Sequence, residues 1–273
     1  MGHFELTVPE NGTPLLVEIP HAGLTIPPEV QPQLDVPPDA ILRDADIYVD
    51  RLYERCAERG ATRLAAKLSR YVVDLNRSAD DVDAETVPEH PKPRALQPRG
   101  VVWRMTTDGR SVLRKPLSYS GLQKRIEQYH RPYHDTLRRE LERLRATHGF
   151  AVLLAAHSMP SVGRWGHTDT GTRRADIVPG TQGRSTAHPE VVDLVDSHFR
   201  AAGLSVRHDD PYRGGYTTAH YGRPSEHWHA IQIELNRALY VDESTAQPKQ
   251  GDFEALQKVL LELVACLGAL TLG

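Results

Sequence analysis

Four short apolar runs, each closing on a polar or ionisable cluster, constrain this chain more than any other feature. Leu15–Ile19 leads into Pro20-His21-Ala22-Gly23, and Leu68–Leu75 ends in Asp74-Leu75-Asn76-Arg77. Ala151–Ala155 is followed by His157-Ser158, and Ala230–Leu235 runs into Glu234-Leu235-Asn236-Arg237. Runs this brief are too short for helices, and several are continuous enough to be strands buried on both faces. Between them the spacing predicts helices over about 46–59, closed by Gly60, about 121–147, stopped by Gly149, and about 189–202, closed by Gly203. The tail from Phe253 to Leu272 is the most apolar stretch, but Glu254, Lys258 and Glu262 interrupt it. A charge at mid-bilayer costs about 2.5–3.5 kcal/mol, so the segment reads as an amphipathic helix packed on the body. Strands alternating with helices predict an α/β sandwich around a mixed, largely parallel sheet covered on both sides.

Length and charge then narrow the function. With 273 residues the chain approaches the upper limit for one hydrophobic core, so one large domain is expected, two at most. The Pro-rich stretch from Pro88 to Pro98 reads as a surface loop or flap. The 33 Lys and Arg nearly balance 36 Asp and Glu, which leaves no broad basic face for nucleic acid or an anionic membrane. Only local basic pockets remain. Cys56 and Cys266 make a poor disulfide framework, and Met1–Thr13 has no apolar core, so a cytoplasmic location is expected. Oligomeric state is not encoded in any pattern here.

In open α/β sheets ligands bind beyond the carboxyl ends of the strands, where all four clusters fall. His21 and His157 fit as imidazole ligands of a metal, for which a catalytic zinc wants a third ligand such as a carboxylate and an open fourth position. Asp46 is the favoured carboxylate, with Asp44 and Glu29 as alternatives; the ordinary role for the Asp44/Asp46 pair is N-capping of the following helix. Glu234 has the profile of a general base, set against a structural ion pair with Arg77 or Arg237. Arg77 and Arg213, the latter in Tyr212-Arg213-Gly214-Gly215-Tyr216, can fork two hydrogen bonds onto a substrate carboxylate. Of the 14 histidines, His130 and His134 read as packing or hydrogen-bonding residues, and His167, His188, His208 and His220 as loop residues. His227 and His229 read as a strand entry. A serine hydrolase is the obvious competitor because Ser158 follows His157, but no Gly-x-Ser-x-Gly elbow is present, nor a P-loop or dinucleotide signature.

The order of motifs resembles the N-formylglutamate amidohydrolase family. The resemblance runs through Ile19-Pro20-His21-Ala22-Gly23, Asp44-x-Asp46 and Ser69-Arg70-Tyr71-Val72-Val73-Asp74-Leu75-Asn76-Arg77. It continues through His157-Ser158, Tyr212-Arg213-Gly214-Gly215-Tyr216 and Gln232-Ile233-Glu234-Leu235-Asn236-Arg237. It implies a single amidohydrolase domain over 1–273 with the three-layer α/β sandwich of the zinc carboxypeptidases, and a pocket-wall loop region at about 80–120. It further implies hydrolysis of N-formyl-L-glutamate to formate and glutamate at the end of a histidine-degradation route. Carried over by position, His21, Asp46 or Asp44, and His157 become ligands of one Zn2+, and Glu234 the base. Asn76 and Arg77 would take the amino-acid carboxylate of a small anionic amide, with Arg213 and Thr218 lining the pocket. Two other readings stand beside this one. One is an amidase or peptidase for another N-acyl amino acid or short peptide, and the other a non-catalytic protein that binds a metal or a carboxylate ligand.

Overall fold

The computed structural model describes residues 2–94, 99–165 and 167–272. Its strands are β1 (Phe4–Thr7), β2 (Leu15–Ile19), β3 (Thr62–Ala66), β4 (Ala151–Met159), β5 (Ile177–Gly180) and β6 (Trp228–Asn236), besides a small two-stranded ribbon at 241–248. The helices are α1 (Pro38–Asp44), α2 (Val49–Leu52), α3 (Tyr119–Arg125), α4 (Arg131–His148), α5 (Pro189–Ala201), α6 (Tyr216–Tyr221) and α7 (Asp252–Gly268). The sheet runs β1-β3-β2-β4-β6-β5. β3, β2, β4 and β6 are mutually parallel, while β1 and β5 close the edges antiparallel.

Period-two alternation divides the core into the two interfaces of a three-layer sandwich. Leu15, Val17, Val152, Leu154, Ile231 and Ile233 pack with α2, α5 and α7. Leu16, Leu64, Leu153 and Ala230 face α3, α4 and α6. In α7, Leu260, Leu263, Val264 and Leu267 are fully enclosed, each contributing about 1.5–3 kcal/mol through burial. No helix among the described residues is long and apolar enough to cross a membrane. From β2 the chain crosses to β3 on one side, and later to β4 on the other. The carboxyl ends of β2 and β4 therefore flank a topological switch point, where a crevice opens.

Two expected elements are different. Leu68–Leu75 is not a strand: apart from the Thr25–Leu68 bridge it folds through turns, with Val72 N donating to Ser69 O. Leu68, Tyr71, Val72, Val73 and Leu75 are buried as strand residues would be, so the apolar signal is genuine and only the backbone differs. The actual strand is Thr62–Ala66, where Arg63 interrupts the apolar pattern and is accommodated by donating to Asp50 O. The expected helix over 46–59 is reduced to the single turn α2 and a 3-10 turn at Cys56–Arg59: Tyr48, left-handed with φ of 65°, delays its start, and the backbone leaves the helix again at Tyr53.

Candidate metal centre and pocket

The switch point brings His21, Asp46 and His157 together, all buried, with one potential ligand atom from each lying within 4.8 Å of the others. His157 sits near the end of β4, and His21 two residues past β2. Asp46 arrives because α1 ends at Asp44 and the chain turns back, with Asp46 N donating to His21 O. Both Nδ1 atoms face Asp46 Oδ2, at 3.5 Å from His21 and 2.9 Å from His157. Burial alone would raise the Asp46 carboxyl, but hydrogen bonds from His157 and His21 and the charges of both rings hold it well below the usual range. It is an anion held between two imidazoles. Arg237 fixes this turn by donating to Arg43 O and Ala45 O, and lies 3.4 Å from Asp46 Oδ1.

The other two carboxylate candidates are engaged elsewhere. Asp44 accepts from Tyr71 Oη, Thr107 N, Thr107 Oγ1 and Arg43 Nε, which ties the 104–111 segment to α1. Glu29 accepts from Tyr129 Oη outside the cluster. Neither Asp44 nor Asp46 caps a helix with its side chain.

The residue that sequence reasoning missed is Asp74. Its Oδ1 accepts from His21 Nε2 at 2.8 Å, and its Oδ2 from Arg70 and from Trp103 Nε1 at 2.9 Å. Burial opposes the anion, yet the charge of Arg70 and then of His21 hold this carboxyl well below its ordinary range. A carboxylate on the far nitrogen fixes the tautomer so that Nδ1 is free to bind a metal. The signal was present in the Asp74-Leu75-Asn76-Arg77 cluster, but reading 68–75 as a strand hid the turn that aims Asp74 inward.

Beside the cluster lies a cavity of about 250 Å³ bordered by Arg70, Asn76, Arg77, Tyr212, Gly215 and Glu234, among others. Glu234 projects from β6 directly beside His157 of β4. Burial pushes its carboxyl up to about 7, with His157 opposing and Asp46 adding to the rise. No arginine lies within salt-bridge distance of it among the described residues, so the ion-pair alternative with Arg77 or Arg237 is not what the fold builds. Gln232 donates to Glu234 Oε1 at 2.9 Å.

Asn76 and Arg77 both border the cavity. Asn76 accepts from Thr217 N and places Nδ2 3.3 Å from His157 Nε2. A Cβ on Gly215 would fall 2.2 Å from Asn76 Nδ2, so only glycine lets this turn approach. Arg77 is part-exposed and spends Nε and Nη1 on Arg99 O and Asn76 O. Arg213 contributes to the wall, but its side chain is exposed and reaches toward Gly183. Thr218 does not border the cavity: it is fully buried under Gly214 with its hydroxyl unpartnered. Among the described residues, those bordering the cavity include none from the expected wall at 80–120, of which 95–98 lie outside the described residues. That region instead braces the site from behind, through Trp103 and Thr107. Ser158 has no nucleophile geometry, its hydroxyl accepting from Arg237 Nε. His130 and His134 bond the Arg77 and Leu75 carbonyls, as packing and hydrogen-bonding residues should.

Comparison with known proteins agrees over nearly the full length. The profile described as N-formylglutamate amidohydrolase matches residues 13–241. An N-formylglutamate deformylase of Pseudomonas aeruginosa is 35% identical over 93% of this chain and 92% of its own. One from Pseudomonas putida is 35% identical over 91% and 92%. A crystal structure of N-formylglutamate amidohydrolase from Ralstonia eutropha JMP134 superposes with a TM-score of 0.89 at 32% identity, covering 98% of both chains. The fold alone is shared with the Atu2144 product of Agrobacterium tumefaciens, at a TM-score of 0.71 and 19% identity.

Proposed function

Because the chain belongs to the N-formylglutamate amidohydrolase family, we propose that it hydrolyses the amide of a small N-acyl amino acid, N-formyl-L-glutamate above all, giving formate and glutamate. The observation that carries this reading is the buried His21-Asp46-His157 cluster sharing one cavity with Glu234, a carboxyl pushed up to about 7 by burial. Two imidazoles and one carboxylate match the ligand chemistry of catalytic zinc, and the His21 tautomer is already set by Asp74. Zinc held by His21, Asp46 and His157 would contribute Lewis acidity toward the amide carbonyl and toward water.

The protein's own groups account for the rest. Glu234 takes a proton from the water that attacks the formyl carbon and returns it to the departing nitrogen, a role open to it because it borders the cavity beside His157 and is held in no ion pair among the described residues. Arg77 receives the amino-acid carboxylate beside Asn76, and Arg213 adds positive charge at the wall. A cavity of about 250 Å³ suits an amino-acid derivative. On this reading the enzyme performs the last amide cleavage of a histidine-degradation route.

The test is formate or amine release from N-formyl-glutamate, N-formyl-aspartate, N-acetyl amino acids and short peptides. N-formyl-glutamate should be turned over fastest, and Glu234→Gln should lower kcat by about 100- to 10,000-fold while metal content is kept. Preference for an N-acetyl amino acid or a peptide would move the substrate and keep the chemistry. No turnover of any of them would end the reading.

A further inference from the structure

Gln232 is not assigned a role by the mechanism above, yet it occupies the position that decides how the base is held. It lies on β6 two residues before Glu234, so both side chains leave the same face of the sheet, and only 3% of it is exposed. Its amide oxygen accepts from Gly215 N at 2.8 Å, with Asn76 Nδ2 a more distant donor at 3.5 Å. Its amide nitrogen donates to Glu234 Oε1 at 2.9 Å. The amide cannot be turned over. A reversed amide would set its NH2 against the Gly215 N–H and its oxygen against the Glu234 carboxylate, losing both bonds and opposing like groups in a buried site.

From this geometry we infer that Gln232 is a positioning residue, which fixes the rotamer of Glu234 and couples the base to the Gly214–Gly215 wall of the pocket. The inference rests on Glu234 being the base. Oε1 is occupied by the Gln232 donor, whereas no hydrogen bond reaches Oε2 among the described residues, and Oε2 is not among the sealed unpartnered atoms. Oε2 is therefore the oxygen that moves the proton. The coupling follows from the other end of the same amide. Gly215 can lie against Asn76 only because it lacks a Cβ, so a ligand seated on this turn acts on a backbone N–H bonded to the residue that orients the base. Binding at the wall and readiness of the carboxylate are joined through one side chain.

Gln232→Met keeps length and bulk and removes both hydrogen bonds. In the zinc-loaded enzyme, kcat should fall roughly 10- to 100-fold with KM within about threefold, and zinc content and Tm should stay at the unsubstituted values. The acidic limb of kcat/KM should move to higher pH, because a donor that favours the charged carboxylate is gone. Gln232→Glu is the second variant, since it can fold where Gln232→Met does not; its carboxylate beside Glu234 should move the limb up further. An unshifted limb in the variant that folds, or a loss carried wholly by KM or Tm, overturns the assignment. Full turnover in Glu234→Gln would instead remove the reading beneath it, whatever Gln232 does.

Discussion

Asp74 and Glu18 are two buried carboxylates with opposite fates, and the difference is in their partners. Asp74 has donors on both oxygens, so its charge is stabilised where burial alone would neutralise it. Asp74→Asn keeps the shape but removes the anion that orients His21 and balances Arg70. Zinc affinity is expected to fall roughly 10- to 100-fold, read by competition titration against a chelator; unchanged affinity would show that His21 needs no such support. Glu18 is fully enclosed on β2, and neither oxygen makes a hydrogen bond of good geometry. Burial pushes it up to about 7, with His157 and the nearby Thr217 and Tyr133 hydroxyls only partly offsetting the cost. A folded pKa above the unfolded one means that the stability it lends is complete below about 4.5 and lost as pH rises through about 7. Glu18→Gln should therefore exceed the unsubstituted protein in stability at pH 8, by up to about 3 kcal/mol, with the gap closing toward pH 5 in denaturant titrations. At this scale the convergence of His21, His157 and Glu234 on one cavity was legible because strand ends position them. Asp74 and Gln232 were not, since their roles depend on which neighbouring nitrogen or backbone N–H they meet, and one chain's letters do not state that.

Among the elements, those whose apolar pattern is regular were legible, and those shaped by a polar obligation were not. β2 spans Leu15–Ile19 as expected, and α5 and α7 follow their amphipathic patterns closely. The long helix over about 121–147 exists, but in three parts, α3, a π turn at Ile126–His130, and α4. Pro132 has no N–H to give to the preceding turn, and the wide π turn takes up the mismatch without ending the helix. The same register lets His130 and His134 donate to the carbonyls of Arg77 and Leu75, so the helix supports the Leu75–Arg77 loop that carries Asn76 to the His21-Asp46-His157 cluster. The misread 68–75 segment belongs to the same logic. A strand would send Arg70 and Asp74 along one extended face, whereas the turn lets Arg70 bend back onto Asp74 at 2.7 Å and set the carboxylate toward His21. Polar chemistry overrode a run of letters that burial alone would have extended.

For the whole molecule, the α/β class follows from the alternation of runs, but the order of strands does not, because β1, β3 and β5 are short and carry Glu5, Arg63 and Pro179-Gly180, which break any regular apolar pattern. What the order creates is a centre fed from both directions of winding. His21 follows β2, Asp46 belongs to the crossover from β2 to β3, and His157 ends β4, which the chain reaches only after both helical layers have been visited. A metal held by these three residues would fasten the two halves of the winding to each other, and its binding free energy would add to the stability of the fold as a whole. Mass action puts that contribution at about 4 kcal/mol when free zinc is 1,000 times its dissociation constant. Stripping the metal with a chelator should thus abolish turnover and lower Tm in a single cooperative transition, and stoichiometric zinc should restore both. Full hydrolysis in a verified metal-free sample would exclude the metal-assisted mechanism. Lost turnover with an unchanged Tm would count against tight binding of the metal at this cluster, since a ligand that binds only the folded state must raise its melting point.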